Sequence, residues 1–175
     1  LMSASSSEVL TIQERLFESS HVTPAVRAND TTDLWLAGGS GRYGAQPSRP
    51  FRTTTIDHIM CGQAQCDPNQ QQLGADLGLY SVTFTNNMER DYETLRAFKE
   101  FREEAERKNF RYFLEVFDPN VDTGITPEML DGFINVPMVN RHLALIHAAM
   151  DDAVAVAWHH RASSKHPRTF AADPH

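Results

Sequence analysis

The clearest pattern of apolar and polar positions runs from residue 79 to residue 117. Residues 79–85 alternate, with Tyr80, Val82 and Phe84 on one side and Ser81, Thr83 and Thr85 on the other, the two-residue period of a β-strand. Asn86 then stands three residues before Glu89, the spacing at which a polar side chain caps a helix and a following Glu reaches back. From there to Lys108, the residues Met88, Tyr92, Leu95, Phe98, Phe101 and Ala105 recur at three- and four-residue steps and predict one buried face. Glu103 with Arg107 and Glu104 with Lys108 are spaced to pair on the solvated side. Asn109 suits the left-handed residue that closes a helix, and residues 110–117 are aromatic and β-branched enough for a second strand. Two strands separated by one capped helix demand a crossover between parallel strands. The pattern therefore predicts an α/β protein with a parallel βαβ unit at residues 79–117.

The flanks are less regular. Leu10, Ile12, Leu16 and Phe17 predict a short helix over 10–17, stopped before Pro24. A short apolar run around Trp35 leads into a glycine-rich loop at 38–44, and the Thr- and Ile-rich stretch 52–61 reads as a strand. Asp67, Pro68 and Asn69 signal a turn, and Asp118, Pro119 and Asn120 end the second strand. Thr126, Pro127 and Glu128 have the order of a helix start. Beyond Pro137 the composition shifts, with six of the eight histidines and no glycine. That separates residues 1–135 from a segment 136–175, helical over 138–162 and loosely ordered over 159–175.

Composition narrows the class. The 175 residues suffice for one domain with a core, and a 41% hydrophobic, 22% charged makeup is that of a water-soluble globular protein. No apolar run reaches the ~18 residues of a membrane span. The serine-rich start lacks the basic and apolar regions of a secretory signal, and Leu1 before Met2 suggests a chain that begins within a longer reading frame. A net charge of −7 with three lysines argues against nucleic acid as a partner. Cys61 and Cys66 read as two free thiols near a turn in a reducing cytoplasm; with His58 they could alternatively supply three metal ligands.

Candidate chemistry is sparse. Gly39, Gly41 and Gly44 spell a dinucleotide fingerprint, but Pro47 and Pro50 stand where its helix would run, so a plain loop is expected and no cofactor is assigned. Active sites of α/β sheets lie at the C-terminal strand ends, which directs attention to Thr85, Asn86 and Asn87 after one strand and to Glu115, Asp118 and Asn120 at the other. Glu115 falls on the face opposite Tyr112, Leu114 and Val116. A carboxylate there needs a partner or a raised pKa, and serves either as a general acid or base or as a structural group paired with an arginine. Asp118 is a turn cap or a second catalytic group. The histidines read mainly as surface or packed residues.

The run Arg111 to Asp118, the segment His21 to Arg27, Pro50-Phe51-Arg52-Thr53, Cys66-Asp67-Pro68-Asn69 and Gly74 to Tyr80 together resemble an uncharacterised bacterial branch of the aldolase-type TIM-barrel proteins, related to tagatose-bisphosphate aldolase. The resemblance covers roughly residues 10–135. It implies a partial (β/α)8 barrel, since a whole one takes about 250 residues. It implies a carbon–carbon lyase of a sugar or sugar-phosphate substrate, with Glu115 and Asp118 as catalytic candidates and Arg52, His58, Asn86 and Asn87 as substrate-binding ones. The Schiff-base lysine of that class has no counterpart, because Lys99 and Lys108 fall on the helix and Lys165 in the tail. The truncated chain is therefore expected to be inactive alone. Two other readings stand beside this one: a non-catalytic α/β domain that self-associates into a homo-oligomer, and a metal-dependent hydrolase using His58, Glu115 and Asp118.

Overall fold

The computed structural model describes residues 1–29, 46–67, 69, 72–126 and 129–130, and the backbone of 156–159 and 169–170. Strands β1 (Ala25–Arg27), β2 (Leu77–Thr83), β3 (Arg111–Phe117), β4 (Val156–His159) and β5 (Thr169–Phe170) form one sheet in that order. The first four are parallel and β5 runs antiparallel to β4. Met2 makes one further parallel bridge to Val26. Helical segments fill the connections up to β3: α1 (Ala4–Ser7), continuing into a π-helical turn over Glu8–Gln13, α2 (Ile56–Cys61) and α3 (Met88–Lys108).

The β2–α3–β3 unit has the parallel crossover that its pattern predicts, with Ser81 opposite Glu115 and Thr83 opposite Phe117. Its boundaries differ by a residue or two. β2 begins at Leu77, and the cap is Asn87, whose side chain accepts the Arg90 N–H at 3.1 Å, while Asn86 itself takes a left-handed φ of 58°. Asn109 closes the helix at φ 52°, as expected.

Phe98, Phe101 and Ala105 are buried on the sheet, as their spacing predicts. Phe101 stacks on Tyr80 at 4.5 Å and meets Tyr112 edge-on at 5.1 Å. Removal from water pushes the Tyr112 phenol up to about 12 and raises that of Tyr80 as well. The first turns of α3 depart from the expectation. Met88 is 90% and Tyr92 65% exposed, and Asp91 and Thr94 are buried instead. The Asp91 carboxylate accepts the Thr85 N–H at 2.8 Å and the Thr85 hydroxyl at 3.2 Å, which turns that side of the helix toward the end of β2. Tyr92 follows about 100° further round the helix and faces outward.

Residues 52–61 are not a strand. Thr55 caps α2 by accepting the His58 N–H, Glu104 of α3 accepts the Ile56 N–H at 2.9 Å, and Gly62 ends the helix at φ 72°. These contacts outweigh the β-propensity of the threonines. Glu104 and Lys108 consequently do not pair with each other. Glu104 holds Arg52 at 2.6 Å and Lys108 holds Asp57 at 2.7 Å, binding α2 to α3. On the open side Lys99 pairs with Glu103 at 2.9 Å, in place of the expected pair with Arg107.

The N-terminal helix lies earlier than predicted, over 4–13, because Ser3 caps it through the Ser6 N–H. Leu16, assigned to its core face, is 58% exposed. In the C-terminal segment, residues 156–159 are strand where a helix is expected, and 169–170 are strand within the supposed tail. Pairing with the open edge of β3 satisfies backbone groups that an alanine-rich helix would satisfy internally, so tertiary context overrides propensity here. The rest of the segment, the glycine loop and the Trp35 run lie outside the described residues. The Leu130 N–H bonds the Thr126 carbonyl at 3.1 Å, in accord with a helix start there. Among the described residues no helix is long and apolar enough to cross a membrane.

Candidate functional site at the strand ends

α3 packs on the face of the sheet that carries Tyr80 and Tyr112, and α2 is bound to α3 on that same side. The two-residue period of the strands therefore turns Ser81, Thr83 and Glu115 to the opposite face. All three are buried. This polar stripe is where the parallel strands approach their C-terminal ends.

Asn29, two residues beyond β1, organises the stripe. Its Nδ2 donates to the Ser81 carbonyl and its Oδ1 accepts the Ser81 N–H, both at 2.7 Å, so the side chain continues the β1–β2 ladder after the backbone has left it. The Ser81 hydroxyl then donates to Glu115 Oε2 at 3.1 Å. Asn29, Ser81 and Glu115 thus form a buried hydrogen-bonded chain across three strands. Thr83 Oγ1, on the same face, is buried without a hydrogen-bond partner among the described residues. Beyond the strands, Asn120 accepts the Ser48 N–H at 3.0 Å and donates to the Gln46 carbonyl at 2.7 Å, and Asn86 donates to the Thr123 carbonyl at 3.0 Å. These bonds tie together the loops above the stripe. In Asp91, burial pushes the carboxyl pKa up, while the bonds from Thr85 pull it down.

Glu115 thus has, among the partners described, the Ser81 hydroxyl. Asp118 lies one residue past β3, and Asn86 and Asn87 lie between β2 and α3, at the strand ends as expected. Arg52 and His58 do not join them. Arg52 is held by Glu104, 17 residues along α3 from Asn87, or about 26 Å at the helical rise. Its guanidinium also lies 5.1 Å above the Phe101 ring. His58 Nε2 is 3.0 Å from Glu8 Oε2. Both line a separate cleft of ≈ 640 Å³ in the helical layer, with Ser5, Thr54 and Ala64. The six candidates therefore divide between two places, and His58, Glu115 and Asp118 are not one cluster. Among the described residues no three His, Cys, Asp or Glu side chains are grouped to hold a metal ion.

Cys61 and Cys66, expected as free thiols or ligands, are joined in a disulfide. The left-handed Gly62 at the end of α2 turns the chain back so that Cys66 returns against the helix. Asn29 and Ser81 escaped the sequence reading as site residues. The only available signal was the polar alternation of Ser81 and Thr83 in a strand otherwise rich in large apolar residues. No protein family, curated protein or solved structure matches the chain.

Proposed function

We propose that the chain supplies part of an aldolase-like carbon–carbon lyase for a sugar or sugar-phosphate substrate, with the substrate seated over the Asn29–Ser81–Glu115 chain. That buried polar chain, facing away from the helices near the C-terminal strand ends, is the observation that carries the reading. The sequential parallel order β1 to β4, with α2 and α3 on one face, fits the winding of a partial (β/α)8 barrel. In this reading Glu115 is the acid–base carboxylate, held in place by the Ser81 hydroxyl, and Asp118, Asn86 and Asn87 contact the substrate from the loops. Arg52 and His58 drop out as substrate contacts because they line the cleft in the helical layer, away from the strand ends.

Lys99 and Lys108 are engaged with Glu103 and Asp57 on the helical side, so neither supplies a Schiff base at the strand ends. The chain alone would bind substrate without turning it over. We place it in the cytoplasm, where sugar phosphates are found and where a disulfide is a cycling group rather than a permanent staple.

Calorimetric titration with a ketose bisphosphate tests the reading. Saturable binding that weakens at least about tenfold in a folded Glu115→Gln variant is expected, a loss of roughly one charge-assisted hydrogen bond. Absence of binding, or equal binding by the variant, would refute the site. Borohydride in the presence of the same ligand should leave no adduct on the chain, and a trapped lysine would overturn the assignment of inactivity.

A further inference from the structure

The disulfide and the cleft in the helical layer share a wall. His58 projects from α2 into the cleft, and Ala64, inside the loop that the Cys61–Cys66 bond closes, lines it as well. Residues 63–65 of that loop are exposed, so the disulfide is the covalent tie holding their turn against the end of α2. Cys61 is 4% exposed, whereas Cys66 is only partly buried. Cys66, the more exposed of the two residues, is therefore the side on which an incoming thiolate would attack.

The reduced state is provided for too. Cys61 Sγ lies 3.0 Å and Cys66 Sγ 3.3 Å from the Asp57 carbonyl oxygen. Once the bond is broken, that carbonyl is an acceptor already in place for either thiol. The rest of α2 does not depend on the disulfide: Thr55 and Glu104 cap its start, Lys108 holds the Asp57 carboxylate, and the Gly74 N–H bonds the Met60 carbonyl at 2.9 Å. A bond whose partners are accommodated in both oxidation states, inside a helix anchored by other means, has the construction of a switch and not of a staple.

We infer that Cys61 and Cys66 form a reversible redox site that sets the wall of the Glu8–His58 cleft, closed when oxidised and released over residues 62–65 when reduced by a dithiol. The exchange balances as a two-electron step. A dithiol thiolate attacks Cys66 Sγ, the Cys61 thiolate leaves and takes up a proton, and the second thiol of the reductant displaces Cys66 as a thiol while closing its own disulfide.

The test is alkylation with iodoacetamide, followed by mass spectrometry, combined with hydrogen exchange on the intact chain before and after dithiothreitol. The expected result is no alkylation before reduction and two adducts after it, with the disulfide restored by oxidised glutathione. Amides of 62–65 should exchange about tenfold or more faster when reduced, with β2, α3 and β3 unchanged, as for a local opening. Alkylation without reductant, unchanged exchange at 62–65, or loss of protection across β2, α3 and β3 would each overturn the inference. The double variant Cys61→Ser, Cys66→Ser should reproduce the reduced exchange pattern and ignore dithiothreitol. A variant that fails to fold would reveal a staple and overturn it as well.

Discussion

Asp91 shows how one side chain decides the orientation of an element. It sits in the first turn of α3, buried, and accepts both the amide and the hydroxyl of Thr85. Burial raises its pKa in the folded state above the ~3.9 of an unfolded aspartate. The folded protein consequently holds this proton more tightly, and the contribution of Asp91 to stability falls as pH rises from about 4 through the raised value, then levels off. Asp91→Asn keeps an oxygen acceptor and cannot ionise. Urea unfolding of that variant should lose this slope and match or exceed the wild type at neutral pH. Asp91→Ala should cost about 1–3 kcal/mol at every pH, because two buried Thr85 donors lose their acceptor. Equal losses for both variants would mean that the charge, acting on the N-terminus of the helix, is what matters. None of this was legible in the sequence, where Asp91 is one acid among many in a charged helix. Glu115 was legible, since an acid among Phe113, Leu114 and Val116 stands out. Its partner Ser81 and the organising Asn29 were not, because both contacts cross between strands far apart in the chain.

At the scale of elements, long periodic segments could be read and short ones could not. α3 declares itself through three turns of aromatic residues, whereas the six-residue α2 has too few positions for a period and depends on Glu104 and Lys108 of another element. The threonines before it pointed to a strand because their value as caps appears only when a helix follows. The connection after α2 is equally dependent on tertiary contact. A methyl group at Gly74 would run into the Ile59 and Met60 carbonyls, which are backbone and cannot move aside without shifting the end of α2. Gly74→Ala should therefore lower stability by about 1–3 kcal/mol, the usual cost of overpacking. It should also raise hydrogen exchange at 58–62 while leaving β3 protected. A neutral substitution would show that α2 can slide along α3, contrary to the ties made by Glu104 and Lys108.

For the whole molecule, the parallel sheet has a direction. Each step from β1 to β3 moves one strand along with a helix on the same face, and β4 continues in register on β3 before β5 turns antiparallel. A sheet wound this way curls toward its helix-free side, and in a closed barrel of eight strands that side is the interior. Here the side that carries none of the described helices holds buried Ser81, Thr83 and Glu115, polar groups that an outer face would leave to water. The single β2–α3–β3 unit was legible because its pattern is local. The placement of β4 was not, because an alanine-rich segment gains strand geometry only from the edge it meets. In the barrel reading a partial barrel must cover its open strand edges against a second copy, and Met88 and Tyr92, exposed one turn apart on α3, offer a separate apolar surface on the helical side. Light scattering coupled to size-exclusion chromatography should then give a dimer or larger species, and Met88→Glu with Tyr92→Glu should show whether α3 takes part. A compact monomer of 19.7 kDa with cooperative unfolding would leave no open barrel face to cover, and would make this a self-contained α/β domain.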